Sequence, residues 1–82
     1  MSLTDRNRLH WQCRRGMREL DELLGGFLER GYETLDGEGR RAFELLLKYP
    51  DDVLLELLMD RMAPADREVA NVVYAIRRAA AP

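Results

Sequence analysis

The chain has one cysteine, Cys13, one histidine, His10, and no apolar run near the roughly 20 residues that a membrane-spanning helix needs. A single thiol cannot close an internal disulfide, so no covalent staple is available. His10 and Cys13 lie three apart and could face one metal on a helix, but a structural zinc takes four ligands and a catalytic one usually three. Nucleophilic catalysis by the thiol would need a base beside it and a third group to orient that base, and only one histidine is present. Cys13 therefore reads as a small buried hydrophobe, and His10 as a surface or partner-contact residue. Alternating apolar and polar strands are missing too, as are hairpin dipeptides between β-branched runs, which excludes a sheet. Gly25-Gly26 is followed by Phe27 and lacks the Lys-Ser/Thr of a phosphate-cradling loop. The first residues carry neither the apolar core of a secretory signal nor the acid-free Arg/Ser tract of a transit peptide, so a cytoplasmic protein is expected.

What is present is charge and leucine. Eighty-two residues, 46% hydrophobic and 34% charged, make one soluble domain, with the ordered core expected at about residues 4–78. The net charge is only −2, but its sign is unevenly distributed. Arg6, Arg8, Arg14, Arg15 and Arg18 come early with Asp5 as their one acidic companion. Glu19, Asp21, Glu22, Glu29, Glu33, Asp36 and Glu38 follow, relieved only by Arg30. A basic end beside an acidic one suits a protein partner. A duplex binder of this size would be basic overall, because its affinity comes largely from neutralising phosphates. Acidic pairs such as Glu19 and Glu22 read as a solvated face, since so small a bundle offers little to desolvate them.

The apolar spacing predicts five helices. Thr4 is a candidate N-cap for the first, which runs to about Arg14 and places Leu9 and Cys13 on one face. Gly16 either ends that helix through a positive φ or lets another backbone approach closely. From Met17, the series Leu20, Leu23, Leu24, Phe27 and Leu28 marks a second buried stripe. Gly25-Gly26 invites a kink or an early end, and Gly31 a stop. Asp36 caps a third helix over about 37–48, burying Ala42, Phe43, Leu46 and Leu47. A fourth opens at Asp51 with Val53, Leu54, Leu57 and Leu58 inward. Pro64 marks a new start, and Val69, Val72, Val73 and Ile76 define a fifth helix that frays in the alanine tail. With short connections throughout, the fold class is all-α: a compact single-domain bundle of about five short helices.

The segment 10–21 reads His10-Trp11-Gln12-Cys13-Arg14-Arg15-Gly16-Met17-Arg18-Glu19-Leu20-Asp21. It closely resembles the signature of the SdhE family of FAD assembly factors, also called succinate dehydrogenase assembly factor 2. That family's hallmark, R-G-x-x-E, falls on Arg15, Gly16 and Glu19. The likeness continues through Phe27, Tyr32, Leu35, Phe43, Leu46-Leu47, Leu58-Met59 and Pro64-Ala65-Asp66. One departure is Leu57, where many members carry Trp.

The resemblance implies a five-helix, non-enzymatic factor that binds the flavoprotein subunit of succinate dehydrogenase, and often of fumarate reductase. It promotes covalent attachment of FAD to a histidine of that partner. No cofactor is expected to be held stably by the chain itself; the FAD acted on is the partner's. The partner-binding surface implied is Arg15, Gly16 and Glu19, with Arg8 and Trp11 at its rim. In this reading Gly16 allows close approach while Arg15 and Glu19 pair with partner charges. The expected state is a monomer that binds neither nucleic acid nor inserts into membrane. The family resemblance also carries a second role, an antitoxin-like partner of a small membrane toxin.

Overall fold

The computed structural model describes residues 3–81, with side chains from residue 5 onward. Five α-helices follow one another: α1 (Leu3–Gln12), α2 (Arg18–Arg30), α3 (Gly37–Leu46), α4 (Asp51–Leu58) and α5 (Arg67–Ala80), with a short 3-10 turn at Tyr32–Thr34. The described residues contain no strand, as the missing alternation requires.

The helices form where the leucine stripes predict because each stripe is buried. Leu20, Leu24, Phe27 and Leu28 of α2 meet Ala42, Phe43 and Leu46 of α3, Leu54, Leu57 and Leu58 of α4, and Val69, Val72, Val73 and Ile76 of α5 in one core. α5 packs against α3, α2 and α4, while α1 lies on α2. Phe43 is wholly enclosed and sits between two rings, its centroid 5.6 Å from Phe27 and 5.5 Å from Tyr32. A radius of gyration of 11.6 Å agrees with the roughly 11.7 Å expected of a compact 82-residue domain. Leu57 is 1% exposed and so occupies a core position.

Local chemistry sets several helix ends. The Asp36 carboxylate accepts from the Gly39 N–H at 2.8 Å, and Asp66 accepts from the Glu68 N–H at 2.8 Å. Each satisfies one of the donors that a first helical turn leaves open. At the end of α2, the Gly31 N–H donates to Phe27 O at 2.7 Å, and a Cβ there would run into the Phe27 ring. Glycine is required at that point by crowding.

Four expectations change. α1 begins at Leu3, so Thr4 lies inside the helix and its hydroxyl is outside the described side chains; α1 also ends at Gln12, before Arg14. α2 runs unbroken through Gly25 and Gly26. Those glycines cost about 1 kcal/mol each relative to alanine, whereas each large side chain α2 buries contributes about 1.5–3 kcal/mol, so packing wins. α3 stops at Leu46, two residues short of Lys48. α5 begins at Arg67, because the Asp66 cap rather than Pro64 fixes its start, and it continues to Ala80. Among the described residues, no helix is long and apolar enough to cross a membrane.

Candidate functional site

Residues 13–17 join α1 to α2 and carry the segment singled out by sequence. Two buried anchors flank it: Cys13 at 1% and Leu20 at 0% exposure. The Cys13 N–H donates to Leu9 O at 3.0 Å and the Arg14 N–H to Trp11 O at 3.1 Å, which closes the last turn of α1. Burial pushes the Cys13 thiol up to about 12, the nearby Arg15 charge opposing this and Asp21 adding to it. The thiol is thus protonated at neutral pH and makes a poor nucleophile. His10 is exposed while Cys13 is buried, so the two do not form a joint metal or catalytic pair. Among the described residues, no cluster of three or more His, Cys, Asp or Glu could hold a metal ion.

Gly16 is exposed and has φ of 82°. A Cβ built there would meet nothing within 4 Å. Of the two readings of this glycine, the positive φ is present, but in the link between α1 and α2 and not as the end of α1, which already stops at Gln12. The turn therefore presents bare backbone to solvent.

Arg15 turns inward. Its Nε donates to Asp51 Oδ1 at 2.8 Å, Nη1 to Leu47 O at 2.8 Å and Gln12 O at 3.0 Å, and Nη2 to Tyr49 O at 2.7 Å. Its own backbone N–H donates to the Asp21 carboxylate on α2. Leu47 and Tyr49 lie just past α3, where helix-end carbonyls lack partners and the dipole favours a cation. Asp51 is the first residue of α4. The side chain is 16% exposed. Arg15 is thus engaged inside the bundle through these bonds.

Glu19 stands in the first turn of α2, exposed, and its carboxylate makes no hydrogen bond or ion pair among the described residues. It lines a groove with Glu22, Leu23, Arg30, Met59 and Ala80. Because residues 13–17 are not helical, Arg15 and Glu19 are not neighbours on one continuous helix. Trp11 is 67% exposed, with the Arg14 guanidinium 5.6 Å from its ring centroid. Arg8 is exposed, 3.5 Å from Asp5, and lines a second groove with Gln12, Glu44, Leu47 and Lys48. Of the five residues expected at the site, Gly16, Glu19, Arg8 and Trp11 are therefore accessible. Sequence reasoning missed Asp21 and Asp51; no spacing rule links residues 15 and 51, which meet only through folding.

Comparison with known proteins accords with the resemblance. Residues 7–80 match the family Sdh5, described as the flavinator of succinate dehydrogenase. A FAD assembly factor SdhE of Pectobacterium atrosepticum is 40% identical over 77 residues, covering 94% of this chain and 88% of that protein. Namesakes from Serratia sp. and Yersinia pseudotuberculosis are each 39% identical over the same 77 residues with the same coverage. With nearly the whole chain matched, on a helical bundle that exposes a glycine turn beside a solvent-facing tryptophan, this protein belongs to the family of flavinators of succinate dehydrogenase.

Proposed function

We propose that this protein docks on the flavoprotein subunit of succinate dehydrogenase through the surface around Gly16 and promotes covalent attachment of FAD to that partner. The single observation that carries the docking site is the Gly16 turn: exposed, at φ of 82°, with open space where a side chain would be. Nothing inside the bundle needs that space, whereas a partner backbone could use it. Trp11 and Glu19 supply what interface cores and rims are made of, a large exposed aromatic and an unpaired charge. Arg8 lies at the rim. The factor acts by shape, holding the flavoprotein so that its own histidine and flavin can react; the FAD stays with the partner throughout. Favouring one arrangement of a partner lowers a barrier without contributing a reacting group.

The size is adequate. The molecule exposes 5456 Å², and a standard interface takes about 800 Å² per partner, about a seventh of that surface.

Gly16→Arg tests the reading. The bundle should stay folded by circular dichroism while the fluorescent covalent-flavin band of the flavoprotein disappears. Flavinylation at the wild-type rate would show that docking does not use this turn.

A further inference from the structure

One side chain in the segment is more heavily engaged than its neighbours. The four hydrogen bonds of the Arg15 guanidinium reach three separated parts of the chain: the end of α1 at Gln12, the segment after α3 at Leu47 and Tyr49, and the start of α4 at Asp51. Through its backbone N–H, the same residue is held by Asp21 of α2. Four of the side chain's five donors are therefore committed inside the protein. To meet a carboxylate on a partner with more than its one uncommitted N–H, the guanidinium would have to leave Asp51 or one of the carbonyls of Gln12, Leu47 and Tyr49, which would then lose its partner at a half-buried position. Its immediate neighbour in sequence is Gly16, where the direction a Cβ would take is open for 4 Å.

Resting on the proposed docking role, we infer that Arg15 is a positioning residue that never touches the partner, and that Asp21 and Asp51 share this task. Together the three form a clamp. Asp21 fixes the backbone just before the turn, Asp51 fixes the guanidinium, and the guanidinium pins the turn to α1 and to the α3–α4 connection. The flavoprotein thus meets a Gly16 turn already in its bound shape, and less ordering opposes binding. Glu19 and Trp11 remain as the side chains that make contact.

The clamp gives Asp51 a part in docking, although it lies 36 residues from Arg15 in sequence. Asp51→Ala and Asp21→Ala should each weaken binding to the purified flavoprotein subunit about tenfold, equivalent to about 1.4 kcal/mol. Excess factor should restore the flavinylation rate, because only the free factor's turn is loosened. Asp21→Asn keeps an oxygen for the Arg15 N–H and should bind as wild type. Arg15→Ala combined with Asp51→Ala should lose less than the sum of the two single effects. Hydrogen exchange on the free proteins supplies a readout that needs no partner: in Asp51→Ala the Arg15 amide should exchange at least about tenfold faster, while core amides of α5 keep their protection. Should Asp21→Ala not fold, Asp51→Ala alone decides, since its carboxylate is 41% exposed. Wild-type binding by Asp51→Ala, with Arg15→Ala defective, would overturn the clamp and make Arg15 a contact. Gly16→Arg in the same series separates the two ideas: normal binding by that variant defeats the docking surface and the clamp with it, whereas its failure beside normal clamp variants defeats the clamp alone.

Discussion

Gly16→Ala and Gly16→Arg form a pair in which stability and docking should part company. An L-residue held in the left-handed region, as φ of 82° requires, costs about 1–2 kcal/mol. In a domain this small each kcal/mol lowers the melting temperature by about 4–8 °C, so a fall of about 4–16 °C is expected for alanine. Arginine should cost no more than alanine, because the Cβ direction at residue 16 is open for 4 Å and the longer side chain extends into solvent. With a total stability of about 4–12 kcal/mol for 82 residues, both variants remain folded at 25 °C. Docking should behave differently: alanine adds one methyl to the turn, whereas arginine fills the space the flavoprotein needs. The assay is a thermal melt by circular dichroism beside the covalent-flavin band of the partner. An arginine variant less stable than the alanine one by more than about 2 kcal/mol would mean that the turn is packed against something, and the reasoning would fail. An alanine variant as stable as wild type would refute the conformational argument instead.

Three further predictions concern the core. Cys13, buried and with its thiol pushed up to about 12, should react slowly with a disulfide reagent in the folded protein and rapidly in urea; stoichiometric reaction within mixing time would contradict its placement. Because the folded thiol holds its proton above the ordinary value of 9.0, its contribution to stability is complete below pH 9 and is lost as pH climbs from there toward about 12; Cys13→Ala should therefore flatten the alkaline fall in denaturant midpoint. Phe43→Ala, which removes the ring between Phe27 and Tyr32, should cost about 3–5 kcal/mol and leave the chain near its unfolding threshold, and a melting temperature within a few degrees of wild type would show that this ring does not organise the core.

The leucine stripes of α2 to α5 were legible because burial is periodic and the helices are long enough to show it. Asp36 was legible as a cap because a side-chain oxygen three residues before a free N–H is a local event. Other ends were not local. α1 stops at Gln12, and the chain leaves it through a non-helical link whose Arg15 is held by groups remote in sequence. α4 closes with Asp60 at φ of 60°, the Arg61 N–H donating to Glu56 O at 2.8 Å and the Asp60 N–H to Leu57 O at 3.3 Å. That is a Schellman end without the glycine that would announce it. The same division holds at the candidate site. Gly16 and Glu19 are exposed, and it was the resemblance carried by segment 10–21, not spacing, that singled them out. Arg15 looked like their equal, yet three of its four side-chain acceptors lie 32 to 36 residues away and only the folded chain brings them together. Neighbours in a motif can thus face opposite ways, one outward to solvent and one inward to the frame beneath it.

The claim on which all of this rests is that the bundle works by binding a flavoprotein through the Gly16 turn. Titrating the purified chain into the isolated flavoprotein subunit of succinate dehydrogenase, with calorimetric detection, measures it without relying on any downstream chemistry. The account predicts saturable one-to-one binding by the wild-type chain and none by Gly16→Arg. Absence of binding by the wild type, or equal affinity for both chains, would contradict it.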